Sequence, residues 1–192
     1  MPKIKINQTL SVRRILGIDP GTNVLGFAVI EEREKQPKIV EIGVLTMSHF
    51  EDHPHKLHHI FTEIQGIIQK FEPTEMSIEL PFYAKNPQSL FKLGRAQGVA
   101  IAAGMYKQLE VSEYSAKKIK QAVTGNGNAS KEQVSAMLST IFNTKIISDY
   151  LDATDALAIA LCHYYQKSPL GGGKKYNNWS AFAKDNLSKV KS

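Results

Sequence analysis

The chain has 192 residues, of which 42% are hydrophobic and 22% are charged, with a formal net charge of +6 and a pI of about 9.3. This composition is typical of a globular domain with a sizeable core, and it excludes a disordered chain. The sequence lacks both a run of about 18 apolar residues, as a membrane span needs, and an N-terminal signal peptide. Its one cysteine, Cys162, cannot form an intrachain disulfide, which predicts a protein of the reducing cytoplasm.

The first part of the chain predicts a short polar arm at residues 1–13, followed by three strands. Residues 14–19, with an apolar run at 15–18, predict a strand buried on both faces, and Pro20-Gly21 ends it. Residues 25–31 and 38–47 have the pattern of two further strands. Because the connections between the three strands are tight, we expect antiparallel hairpins.

The second part of the chain predicts helices that alternate with strands. The predicted helices cover residues 54–71, 88–109, 115–123, 130–142 and 148–166, and the predicted strands cover 75–80 and 111–114. This order predicts an α/β fold, with a mixed sheet of five strands, three antiparallel and then two parallel, and helices on both faces. Residues 14–168 would form this domain, and residues 169–192 a basic, flexible tail.

Four carboxylates in three distant segments are embedded in apolar stretches, where an unpaired charge is costly to bury. Asp19 and Glu79 each end a predicted strand. Asp152 and Asp155 are spaced i, i+3 in the last predicted helix and therefore project from one face. Each acid alone has a structural explanation, as a turn residue, a strand end in solvent or a helix start favoured by the dipole.

Taken together, the four acids predict a metal site, because carboxylates that share one pocket repel each other unless a cation binds. A ligand set made only of oxygen suits Mg²⁺ or Mn²⁺ rather than zinc. Two such ions about 4 Å apart stabilise the attacking and leaving oxygens in phosphodiester cleavage. Acidic residues predominate from 19 to 81 and basic residues from 82 to 146, which favours a site that holds cations beside a nucleic acid.

Several short strings occur in an order and spacing that point to one family. They are Leu16-Gly17-Ile18-Asp19-Pro20-Gly21-Thr22, Ile78-Glu79, Phe82-Tyr83-Ala84-Lys85-Asn86, Lys92-Leu93-Gly94 and Asp152-Ala153-Thr154-Asp155-Ala156-Leu157-Ala158-Ile159-Ala160. From about residue 14 to 165 the chain resembles the RuvC family of Holliday junction resolvases. The resemblance implies a ribonuclease-H-like fold, a homodimer, Mg²⁺-dependent nicking of two strands of a four-way DNA junction, and cooperation with the branch-migration complex of RuvA and RuvB.

The resemblance also assigns roles to individual residues. The family's four catalytic acids correspond to Asp19, Glu79, Asp152 and Asp155, with Asp152 at a position where some members have His. Phe82 would stack on bases at the crossover, a contact that contributes about 1–3 kcal/mol per base. Positive side chains would contact phosphate, Lys120 and Lys131 beside the scissile group and Lys85, Lys117 and Lys118 elsewhere on the backbone.

Some features lie outside this pattern. Many relatives have Gly-Gln-Ala-Arg-Gly where this chain has Gly94-Arg95-Ala96-Gln97-Gly98, so the contacts of that arginine are not carried over. A group of histidines predicts a solvated helix start, because no Cys or acid completes a zinc site of convincing spacing; they are His49, His53, His55, His58 and His59. Cys162 is expected to be inert core, and His163 to be half-buried.

Three other functions fit part of the sequence. Asp19-Pro20-Gly21-Thr22 also resembles the phosphate loop of ATP-using proteins of the actin and sugar-kinase class, but these need a second domain. A related nuclease-fold enzyme that processes RNA would differ in substrate. A DNA-binding module without catalytic activity would have no need for all four acids.

Overall fold

The computed structural model describes residues 12–81, 86–144 and 151–167. Five strands form one sheet in the order β3-β2-β1-β4-β5. The strands are β1 (Arg14–Asp19), β2 (Val24–Arg33), β3 (Gln36–Thr46), β4 (Glu75–Glu79) and β5 (Glu110–Tyr114). The first three strands pair antiparallel, and β1 with β4 and β4 with β5 pair parallel, which confirms the predicted mixed sheet.

Helices cover both faces of the sheet, as predicted. They are α1 (His53–Phe71), α2 (Pro87–Tyr106), α3 (Ala116–Thr124), α4 (Lys131–Ile141) and α5 (Leu151–Lys167). One hydrophobic cluster joins one face of the sheet to α3, α4 and α5, and the other joins the opposite face to α1 and α2. Helix α2 ends at Tyr106 rather than at the predicted residue 109, because Gln108 adopts a left-handed conformation with φ of 61°.

The central strand β1 contributes to both clusters and thereby fixes the direction of its last side chain. Ile15 packs with α5, whereas Leu16 and Ile18 pack with α1 and α2. Because side chains alternate along a strand, Asp19 lies on the same face as Ile15, which is the α5 face. Burial of β1 on both faces agrees with its continuous apolar sequence.

Helix α5 lies very close to β1 and β2 because small residues line the contact. A Cβ atom at Gly17 would overlap the Ala156 carbonyl and would lie 2.8 Å from the Cβ of Ala160. A Cβ atom at Gly26 would overlap the Asp152 carbonyl. The residue at position 26 must therefore be small, because the start of α5 approaches it closely.

A buried polar network holds α5 at the opposite end of the sheet from Asp19. His163 is 0% exposed, with its Nε2 2.7 Å from Oε2 of Glu75 and its Nδ1 2.7 Å from the Tyr114 hydroxyl. Arg13 donates from Nε to Oε1 of Glu75 at 2.8 Å. The predicted half-burial of His163 is therefore wrong: its two polar partners allow complete burial. Cys162 is buried as predicted, and burial raises the pKa of its thiol to about 11.

The described residues contain no helix with the length and apolar character needed to span a bilayer. Residues 1–11 and 168–192, which include most of the predicted arm and the predicted tail, lie outside the described ranges.

Candidate active site

Two of the predicted acids meet where β1 and β4 end. The strands are parallel neighbours, with Ile18 paired to Ile78, so Asp19 and Glu79 follow at the same edge of the sheet. Glu79 and Ser77 are two residues apart on β4, so their side chains point to the same face of the sheet. The Ser77 hydroxyl donates to the Ile159 carbonyl of α5 at 3.4 Å. Both carboxyl groups therefore lie on the face that α5 covers.

The other two acids come from the start of α5. The close contact with Gly26 places the Asp152 backbone directly over β2, and Gly26 is the ladder partner of Asp19. The i, i+3 spacing turns Asp152 and Asp155 toward one side of the helix. The first turn of α5 therefore lies over the strand ends that carry Asp19 and Glu79.

All four carboxylates line one cavity of about 310 Å³. Two positive side chains, Lys120 of α3 and Lys131 of α4, line the same cavity. Its apolar wall was not predicted from the sequence and consists of Ala116, Ile119, Val134 and Ala158. These residues are ordinary members of amphipathic helices, so no sequence signal distinguishes them from core positions.

The carboxylates affect one another through burial and mutual repulsion. Burial, followed by the negative charges of Asp155, Glu79 and Asp152, raises the pKa of Asp19 to about 8. Burial and the charge of Asp155 also raise the pKa of Glu79, although Lys131 and Lys120 oppose this. The cavity thus holds more negative charge than its lysines balance, and a bound cation would relieve the excess.

Lys131 makes the closest polar contact in the cavity. Its Nζ donates to Oδ2 of Asp155 at 2.6 Å, and this hydrogen bond raises the pKa of Lys131. Within the described ranges, no three His, Cys, Asp or Glu side chains are grouped so that they could hold one metal ion as they stand. The acids share a cavity, and their carboxylate chemistry suits a hard divalent cation, but their side chains would have to turn to ligate it.

The remaining predicted site residues fall into two groups, those outside the described residues and those outside the cavity. Phe82 and Lys85 lie outside the described residues. Lys117 and Lys118 are exposed on α3 and are absent from the described lining of the cavity, with Nζ of Lys118 4.9 Å from the centre of the Tyr114 ring. The structure therefore groups Lys120 and Lys131 with the four acids, and it does not group Lys117 and Lys118 with them.

Fold and cavity together define a class of protein. The fold is a five-stranded mixed sheet with helices on both faces. Acids at the ends of two neighbouring parallel strands, β1 and β4, face acids on the helix that covers them. This is a ribonuclease-H-like arrangement of the kind nucleases use. The family model described as crossover junction endodeoxyribonuclease RuvC matches residues 15–163. The chain belongs to the RuvC family, which confirms the resemblance seen in the sequence.

Individual relatives agree with this assignment. The crossover junction endodeoxyribonuclease RuvC of Cytophaga hutchinsonii is 52% identical over 179 residues, which cover 93% of this chain and 88% of that protein. The protein of the same name from Christiangramia forsetii is 48% identical over 181 residues and 94% of each chain. The solved structure of Thermus thermophilus RuvC has a TM-score of 0.73 at 29% identity, and covers 80% of this chain and 95% of that one.

A second solved structure, described as T. thermophilus RuvC in complex with Holliday junction substrate, has a TM-score of 0.71 at 26% identity. It covers 80% of this chain and 94% of that one. The similarity therefore extends over nearly the whole chain of that relative.

Proposed function

We propose that this protein is a structure-selective endonuclease that resolves four-way DNA junctions in homologous recombination and DNA repair by paired, symmetric phosphodiester hydrolysis. The observation that carries the proposal is the single cavity in which four acids from three distant segments meet two lysines. Membership of the RuvC family, and a relative described with a Holliday junction substrate, give the proposal its substrate. We also propose a cytoplasmic location, on the basis of membership of this family.

Asp19, Glu79, Asp152 and Asp155 are proposed to hold Mg²⁺, two ions in each site, with Mn²⁺ as a substitute. Bound in this way, the metal would activate a water molecule and neutralise charge on the departing 3′ oxygen. The chain itself supplies an oxygen-only ligand set and a site walled by apolar side chains, which strengthens electrostatic interactions. No side chain is required as a covalent nucleophile.

Lys120 and Lys131 are proposed to neutralise the scissile phosphate. Both line the cavity, and the ammonium group of Lys131 already reaches a carboxylate there. A point charge suits contact with phosphate because it tolerates several orientations of the ligand. Lys85, Lys117 and Lys118 are proposed to contact the DNA backbone, and Phe82 to stack on bases at the crossover.

We also propose that the protein acts as a homodimer, so that two cavities related by two-fold symmetry can nick a symmetric junction. An exposed apolar face of α2 supports this: Phe91, Met105 and Tyr106 are 72%, 63% and 71% exposed. On the same helix, a Cβ atom at Gly94 or Gly98 would meet no other described atom within 4 Å, which leaves room for a second helix. Cooperation with RuvA and RuvB rests on family membership.

Replacement of Phe91 with Asp tests the dimer, because a charge introduced into this face would be buried without a partner. Sedimentation velocity should show the variant shifted to monomer at concentrations where the wild-type protein is a dimer. Replacement of Met137 with Asp is the control and should leave the dimer intact, because Met137 is an exposed apolar residue of α4, on the other face of the sheet. An unchanged sedimentation coefficient for the Phe91 variant would show that this face of α2 is not the dimer interface.

Incubation of the purified protein with a branch-mobile four-way junction, with and without Mg²⁺, tests the activity. We expect paired nicks at symmetric positions that DNA ligase can seal, and none without the metal. Structured RNA of matched length serves as the competing substrate. Cleavage of the RNA alone would favour an RNA-processing enzyme, and binding of the junction without any nick would favour a DNA-binding module.

A further inference from the structure

A second polar cavity lies beside the turn that follows β1, where α1 and α2 begin. It has a volume of about 220 Å³ and contains no residue of the carboxylate cavity. Its lining consists of Thr22, Asn23, Glu51, His53, Lys56, Ser89 and Lys92.

The cavity is positively charged and contains an unused hydrogen-bonding group. Among the described residues, Nε2 of His53 is buried and has no hydrogen-bond partner. Burial, followed by the positive charges of Arg95, Lys92 and Lys56, lowers the pKa of His53. The three cations therefore disfavour protonation of this imidazole, and Nε2 in its N–H tautomer can donate to an anion. Glu51 is the acid in the lining, so the cations outnumber it.

The cation nearest the turn is held in place. Nζ of Lys56 donates to Oδ1 of Asn23 at 2.7 Å, and the Asn23 carbonyl accepts from the backbone N–H of Met47 at 2.7 Å. Asn23 follows Asp19 by four residues, within the connection between β1 and β2. The positive charge of Lys56 is thus fixed relative to the strand that carries Asp19.

A depression of about 70 Å³ shares Asp19 and Glu79 with the carboxylate cavity. Its lining also includes Pro20, Leu80, Pro81 and Leu93 of α2, and Leu93 is next in the chain to Lys92 of the positive cavity. Lys120 of α3 and Lys131 of α4 lie near the carboxylates on the α5 face of the sheet, whereas α1 and α2 cover the other face. A strand that crosses the sheet edge would therefore meet lysines on one side of the acids and this positive cavity on the other.

We propose that the cavity is a second phosphate-binding subsite, which holds a backbone phosphate of the cleaved DNA strand a few nucleotides from the scissile one. Lys56 and Lys92 neutralise the phosphate, and Nε2 of His53 donates to one of its oxygens. The subsite rests on the proposed function and deepens it, because it fixes the path of the strand on the α1–α2 side of the catalytic acids.

The test compares a Lys56→Gln, Lys92→Gln double variant with wild type in fluorescence anisotropy of a four-way junction, in EDTA at several salt concentrations. We expect roughly tenfold weaker binding, and a slope of log K against log salt that is smaller by about 2. Lys70→Gln, a charge change at the far end of α1, is the control and should leave both values nearly unchanged.

A second measurement places the phosphate. Single uncharged methylphosphonates are placed along the cleaved strand, and one within a few nucleotides of the cut should weaken wild-type binding but not weaken the double variant further. Equal affinity and slope for wild type and double variant, or full additivity at every position, would overturn the subsite. Failure of wild type to bind or cut the junction at all would instead contradict the proposed function, so the two failures are distinguishable.

Discussion

The contact between β2 and the start of α5 leads to a quantitative prediction for Gly26→Ala. The added methyl group would overlap the Asp152 carbonyl and would lie 3.1 Å from the Ala153 nitrogen. Both neighbours are backbone atoms that cannot rotate away, so the first turn of α5 must recede by about 1 Å to restore ordinary contact. Asp152 would then move away from Asp19, the ladder partner of Gly26.

A displacement of this size in a catalytic group reduces the rate by about 100-fold, and overpacking of this kind lowers the free energy of unfolding by about 1–3 kcal/mol. Single-turnover nicking of a four-way junction at saturating protein measures the first quantity, and urea denaturation the second. Junction affinity should change little, because the lysines are not displaced.

Gly66→Ala is the matched control. Gly66 is exposed on α1, and a Cβ atom there would meet no described atom within 4 Å. Because alanine favours the helix over glycine by about 1 kcal/mol, this variant should be slightly more stable and should cut at the wild-type rate. A folded Gly26→Ala protein that nicks as fast as wild type would refute the claim that this contact positions the catalytic acids.

Two further predictions concern charged groups. Burial alone would raise the pKa of Glu75, but hydrogen bonds from His163 and Arg13 lower it to about 2. Its lowered pKa in the folded state means that Glu75 stabilises the protein above about pH 4.5, and that this contribution is lost as the pH falls from 4.5 toward 2. Glu75→Gln should therefore lower the free energy of unfolding at pH 7 by about 3 kcal/mol, as measured by urea denaturation. The free energy of unfolding of this variant should also fall less steeply than that of wild type between pH 4.5 and 2. The same pH dependence in variant and wild type would contradict a stabilising role for the hydrogen bonds of Glu75. Lys131→Gln should slow nicking by about 100-fold, because the charge that we propose to contact the scissile phosphate is lost, and Lys131→Arg should recover part of the rate. Equal rates for Lys131→Gln and wild type would leave the ion pair with Asp155 as the role of Lys131.

Much of the catalytic edge of the sheet follows from local sequence. The alternation of side chains along β1 and β4, together with the apolar runs that end in Asp19 and Glu79, predicts two acids at neighbouring strand ends. The i, i+3 spacing of Asp152 and Asp155 predicts their common direction on a helix. Their presence in one cavity requires only that this helix pack on the sheet face that those strands present.

Other features depend on long-range packing and could not be predicted from one sequence. Gly26 has the same local signature whether a strand or a helix approaches it, and only the tertiary structure shows that α5 does. The full burial of His163 depends on partners that are 49 and 88 residues away along the chain, Tyr114 and Glu75. His53 was predicted to be part of a solvated helix start, and this is wrong for its Nε2, which is buried.

We propose that the clustered acids perform metal-dependent cleavage. Cleavage of a four-way junction in Mg²⁺ by the Asp19→Asn variant is the sharpest test of this proposal. Asparagine keeps the size of the side chain and removes its charge, so we expect junction binding close to that of wild type and no detectable nicking under single-turnover conditions. The same variant should also lose the burial cost and the repulsion that together raise the pKa of Asp19 to about 8, and should be more stable than wild type at pH 8 without metal. Nicking by Asp19→Asn at the wild-type rate would contradict the account.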